Sequence, residues 1–145
     1  MRTVIAPLRQ EVQQDLGALD RRRAHIARQY VRRLALEPYH GARVERGLLA
    51  EYGCRRIHFD RHDRPDDLFG ARRPSRRRGD EDFGEGPGWR IVYWLPEAPR
   101  SEIRLVVVLA VAPGHKKPSD WNAYELATRR LEALIDPSRR KGGSR

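Results

Sequence analysis

A single cysteine, Cys54, stands among 145 residues. No internal disulfide can form, so the chain must hold together by its core. Long hydrophobic runs are also missing: the longest, Leu105 to Pro113, is nine residues. A membrane-crossing helix needs about 20, so no membrane partner is expected. Val4 to Leu8 is too short for a signal core of about 7–15 residues, and the expected compartment is the cytoplasm. The five histidines and the one cysteine lack the spacing of a metal site. No Walker loop, no dinucleotide-binding glycine fingerprint and no G-x-S-x-G elbow is present. These absences argue against a kinase, a dehydrogenase and a serine hydrolase, and neither cofactor nor metal is expected. Lysine is scarce too, with only Lys116, Lys117 and Lys141.

Arginine is what the chain has in quantity. Thirty basic residues against twenty acidic ones give a net charge of +10, with an isoelectric point near 10.7. Such a balance suits a polyanionic partner, nucleic acid above all. Solubility alone is the plainer reading, and a GC-rich coding sequence would also favour arginine over lysine.

Hydrophobic periodicity sets the expected order of elements. Arg2 to Ala6 reads as a short strand ended by Pro7. Val12, Leu16, Leu19, Ile26, Tyr30 and Leu34 give a helical stretch from Arg9 to about Leu36. It breaks near Gly17, where Asp20 can cap a second helix. Tyr39 to Gly53 is irregular and punctuated by Gly41, Gly47 and Gly53. Arg55 to Asp60 alternates as a half-buried strand. Residues 61–86 carry seven arginines and seven acids with few apolar groups, and read as a charged flexible loop. Trp89 to Leu95 is a strand, and Ile103 to Ala112 is a central strand buried on both faces. Ser119 or Asp120 can cap a last helix through Leu134. Residues 137–145 read as a disordered basic tail. Together these give one domain over residues 1–136. The expected class is α+β: an antiparallel sheet of about four strands, two N-terminal helices, a C-terminal helix, and helices on one face.

Basic and aromatic residues recur at the strand ends. Arg55, Arg56 and His58 lie on one strand, Arg90 and Tyr93 on the next, and His115, Lys116 and Lys117 after the third. Tyr124 lies in the last helix. Gathered on one face, they can bind a nucleic-acid strand through phosphate contacts and base stacking. The same groups suit RNA cleavage by attack of the 2′-hydroxyl on the adjacent phosphorus, because fixed cations favour the charged transition state. Plainer readings stand beside each: Tyr93 alternates with Ile91 and Leu95 as a core residue would. Tyr124 has packing spacing to Ala127 and Leu131. Arg90 and Trp89 can be a surface stacking pair, and Arg55 and Arg56 can be edge-strand charges.

The order of these motifs resembles the RelE/ParE superfamily of toxins from bacterial type II toxin–antitoxin systems, over roughly Arg2 to Leu134. The likeness rests on Leu34 to Pro38, Gly47-Leu48, the Arg55–Asp60 strand, Trp89-Arg90-Ile91-Val92-Tyr93, the apolar strand to Val111, Gly114-His115-Lys116 and Tyr124-x-x-Ala127. It implies a ribosome-dependent endonuclease that cuts messenger RNA without a metal, and a small acidic antitoxin as partner. It places the family's strand arginine at Arg90 and its basic pair at Arg55 and Arg56. Its later basic residue falls at Lys116 or Lys117, and its C-terminal tyrosine at Tyr124. RelE carries lysines where this chain has Arg55 and Arg56. Arginine keeps its proton too firmly to act as a base, so His58 or His115 takes that part. The expected catalytic set is therefore Arg90, His58, His115, Lys116 and Tyr124, with Arg55, Arg56, Tyr93 and Lys117 binding RNA. The alternatives are a ParE-like inhibitor of DNA gyrase and a non-catalytic nucleic-acid binder.

Overall fold

A computed structural model describes residues 2–60, 62–64, 88–97, 102–114 and 122–136. His115, Lys116, Lys117, the tail, most of the charged 61–86 segment and the expected caps Ser119 and Asp120 lie outside the described residues. Five strands are described: β1 (Arg2–Ile5), β2 (Ala42–Arg43), β3 (Arg55–Phe59), β4 (Trp89–Trp94) and β5 (Ile103–Pro113). The described helices are α1 (Gln10–Gly17), α2 (Arg21–Arg33), α3 (Gly47–Glu51) and α4 (Ala123–Ile135). The class is α+β.

The strands form one sheet in the order β1-β5-β4-β3-β2. β2, β3, β4 and β5 pair antiparallel in sequence, and β1 pairs parallel with β5, Ile5 opposite Val106. The sheet is thus five-stranded and mixed, which corrects the expected antiparallel four. Pro7 and two helices carry the chain away from β1. The sheet is then built inward from its far edge, and β5 arrives beside β1 running the same way. β2 has only two residues, too few for a periodic signal.

Helices cover both faces, a second correction. On one face α1 and α2 bury Val12, Leu16, Ile26, Tyr30 and Leu34 against Ile57, Phe59, Ile91, Tyr93 and Val106. On the other, α3 and α4 bury Leu49, Ala123, Ala127 and Leu131 against Val92, Leu109, Ala110 and Ala112. The apolar run of β5 requires this arrangement, since a strand buried on both sides needs two covers. Val92 pairs with Ala110 and Tyr93 with Val108, so Leu109 is the extra residue of a bulge. The bulge turns Leu109 and Ala110 together toward α4.

Local chemistry fixes the helix ends. Asp20 caps α2 by accepting from Arg23 N–H at 3.2 Å and from Arg23 Nη1 at 2.8 Å. The hydrogen bond from the Arg23 side chain holds the Asp20 carboxyl below the ordinary carboxylate range. Asn122 caps α4, its Oδ1 accepting from Tyr124 and Glu125 N–H at 2.9 and 3.2 Å. Gly53 ends α3 at φ +70°, a conformation that favours glycine.

An ion pair closes the open half of β5. The β1 ladder stops at Val106. Beyond it, Asp15 of α1 accepts from Val111 N–H at 2.9 Å, and Arg130 of α4 donates to the Leu109 carbonyl at 2.9 Å. The two side chains pair bidentately, at 2.7 and 3.1 Å. They stand in for a neighbouring strand and satisfy its hydrogen bonds.

Candidate functional site

Strand alternation decides which candidates meet. On β4, Arg90 shares a face with Val92, the face under α4; on β3, His58 lies directly opposite Arg90 and Arg56 opposite Val92. Cross-strand partners hold their Cβ atoms about 4.5–5.5 Å apart. Arg90 Nε donates to the Tyr124 hydroxyl at 3.1 Å, tying strand to helix. The structure therefore brings Arg90, His58, Arg56 and Tyr124 to one face of the sheet.

Arg90 is half-buried, and its described partners are neutral. Among the described residues it donates to the Tyr124 hydroxyl and, from Nη1, to the Trp89 carbonyl at 3.3 Å. No described carboxylate forms an ion pair with it. A guanidinium held by neutral acceptors keeps its charge for an anion.

Two glycines clear the lane in which Arg90 lies. Gly114 N–H donates to the Gly88 carbonyl at 2.9 Å, extending the β4–β5 ladder by one step. A Cβ on Gly114 would stand 2.7 Å from Arg90 Cγ and 2.8 Å from Nε, and one on Gly88 would stand 2.5 Å from Nη1. A side chain at residue 114 would press on the stem of Arg90, which cannot swing clear as its tip can. In the sequence Gly114 stands out only as part of the Gly114-His115-Lys116 motif, which does not announce this role. The signal was a glycine at each flank of one arginine, visible only once β4 and β5 are paired.

Three other candidates are placed elsewhere. Trp89 does not stack on Arg90: it lies on the opposite face, near Phe59, with Arg23 at 5.2 Å from a ring centroid. Tyr93 is wholly buried, so it cannot stack on a base, and its expected contact with RNA is corrected to a packing role. Its hydroxyl donates to the Pro38 carbonyl at 2.7 Å and accepts from Gly41 N–H at 2.9 Å. Burial pushes its pKa up to about 12. Gly41 fits because a Cβ there would meet the Arg56 carbonyl at 2.6 Å and the Tyr93 hydroxyl at 2.9 Å.

Arg55 alternates away from Arg90. It donates to the Gly41 carbonyl at 2.6 Å, and its guanidinium lies 5.0 Å from the Tyr39 ring centroid. Arg104 lies 4.9 Å from the same ring. This trio borders a groove of about 1000 Å³ at the end of the sheet where β4 leaves and β5 begins. Tyr52 and Trp94 also line it, edge to face with centroids 6.2 Å apart. Of these residues only Arg55 stands out in the sequence. Tyr39, Tyr52 and Arg104 are distant in the chain, and no motif joins them.

Among the described residues no three His, Cys, Asp or Glu side chains gather as a metal site. No described helix is long and apolar enough to cross a membrane. Comparison with known proteins finds no match to this chain among family models, curated proteins or solved structures.

Proposed function

We propose that the chain is a toxin of the RelE-like kind, an endoribonuclease that cuts messenger RNA on the ribosome and is restrained by a small acidic antitoxin. The observation that carries the reading is Arg90: a half-buried guanidinium without a described carboxylate partner, directly opposite a histidine and hydrogen-bonded to a tyrosine. The two N-terminal helices are also those the resemblance implies. The +10 charge suits an RNA partner.

The reaction follows from these groups. His58 accepts the proton of the 2′-hydroxyl. The 2′-oxygen then bonds to the adjacent phosphorus, and the bond from phosphorus to the 5′-oxygen breaks. The products are a 2′,3′-cyclic phosphate and a 5′-hydroxyl end. Negative charge grows on the equatorial oxygens in the transition state, where Arg90 and Arg56 stabilise it. Tyr124 acts through Arg90: by accepting from Nε it fixes the plane of the guanidinium and leaves Nη2 for phosphate. Lys116 or His115 supplies the proton for the leaving 5′-oxygen. The route needs cations and a base, not a metal.

Truncation of Arg90 to alanine should lower the cleavage rate by about 10²–10³, the scale for losing one electrostatic stabiliser. Single-turnover cleavage of a defined message on ribosomes measures it, and a loss below threefold would remove Arg90 from the chemistry.

A further inference from the structure

The groove at the β4–β5 end of the sheet is separate from the Arg90 site. Arg90 and Trp94 are four residues apart on β4, about 13 Å at the usual strand rise. Its composition is unusual for a plain surface. Tyr39 is 55% exposed and Tyr52 40% exposed, so two aromatic rings stand open to solvent in one groove. Arg55 and Arg104 both approach the Tyr39 ring within about 5 Å, and Arg43 lines the same wall. None of the three arginines forms an ion pair with a described carboxylate. Glu51 and Glu97 also line the groove, which leaves a local excess of one positive charge.

We propose that this groove binds an unpaired nucleic-acid strand, with a base stacked on Tyr39, a second base on Tyr52 and phosphates held by Arg43 and Arg104. Exposed rings beside arginines that have no ion pair with a described carboxylate are the parts of a single-strand site: every base has a π-face, and arginine holds the backbone. A duplex keeps its bases stacked on each other and offers the rings nothing. The volume of about 1000 Å³ is at the top of the range of about 300–1,000 Å³ for small-molecule pockets, room for more than one nucleotide. Arg55 is held to the Gly41 carbonyl and steadies Tyr39, so it positions the ring. The identity of the strand as messenger RNA rests on the proposed function, but binding in the groove does not require cleavage.

The test is fluorescence anisotropy with a labelled eight-nucleotide oligouridylate, using full-length protein carrying Arg90→Ala so that nothing is cut. Tyr39→Ala should weaken binding about 5- to 100-fold, the scale of one lost base stack, while Tyr39→Phe should bind as the parent does. Arg104→Ala should lower the salt slope by about 0.7, one phosphate contact on a single strand. Oligodeoxythymidylate should follow the same pattern, because stacking does not read the sugar, and a duplex of equal length should bind more weakly and ignore Tyr39→Ala. Equal affinity in parent and Tyr39→Ala, or a polyglutamate peptide that competes as well as RNA, would overturn the proposal, the latter in favour of an acidic protein partner. Groove-dependent binding in a protein that never cuts RNA would leave this proposal standing and remove the endonuclease reading. Arg90-dependent cutting with affinity unchanged in Tyr39→Ala would do the reverse.

Discussion

At the scale of single residues, neighbours decide what a side chain can do. Tyr93 has the chemistry of a base-stacking group, yet it is sealed between Pro38 and Gly41. Replacing it with phenylalanine keeps the ring and orphans a buried N–H and a carbonyl. The expected cost is about 1–3 kcal/mol of stability by denaturant unfolding. Burial pushes both Tyr93 and Cys54 up to about 12. Their unfolded values lie near 10 and 8.5, so above those values the unfolded chain gives up protons that the folded chain keeps. The stabilisation from both groups is full below pH 8.5 and is lost as pH rises toward 12. Melting temperature should therefore fall through that window, less steeply in Tyr93→Phe and in Cys54→Ala. Arg90 is the opposite case, a guanidinium whose described partners are neutral. Gly114→Ala should press its stem out of place and cut cleavage toward the Arg90→Ala level, checked with the same single-turnover assay. Full activity in Gly114→Ala would show that the lane is not needed.

At the scale of elements, the Asp15–Arg130 pair joins α1 and α4 across the open edge of β5. Arg130→Ala would leave a buried carboxylate beside one remaining donor. It should destabilise by about 3 kcal/mol, read as a lower urea midpoint at unchanged slope. The sequence could not announce this pair, because its members are 115 residues apart. What periodicity does reveal is set by length. α2, with Asp20 ahead of Ala24, Ala27, Tyr30, Val31 and Leu34, is legible to within three residues at its end. β3, β4 and β5 are legible because alternation or an apolar run lasts five residues or more. β2 is two residues and α3 five, below the length at which a period can repeat. The parallel β1–β5 pairing depends on contacts across the whole chain, and no local pattern encodes it. The candidate site shows the same limit. Arg90, His58, Arg56 and Tyr124 were readable as residue types. That Arg55 faces away from them follows from strand parity once the register is set.

At the scale of the whole molecule, a sheet covered on both faces leaves its strand ends open, and two groups of basic residues lie there. Arg90 with His58 occupies one end, and the groove of Tyr39, Tyr52 and Arg104 the other. On the proposed reading, the net charge of +10 draws a long polyanion toward both. The central claim is that the Arg90 end cuts RNA. The most direct measurement is mapping of new 5′ ends on a defined message held in stalled ribosomes, with wild type and Arg90→Ala side by side. The account predicts 5′-hydroxyl ends at the A-site codon with wild type and their loss with Arg90→Ala. Intact message from folded wild-type protein, or equal cutting by the variant, would contradict it.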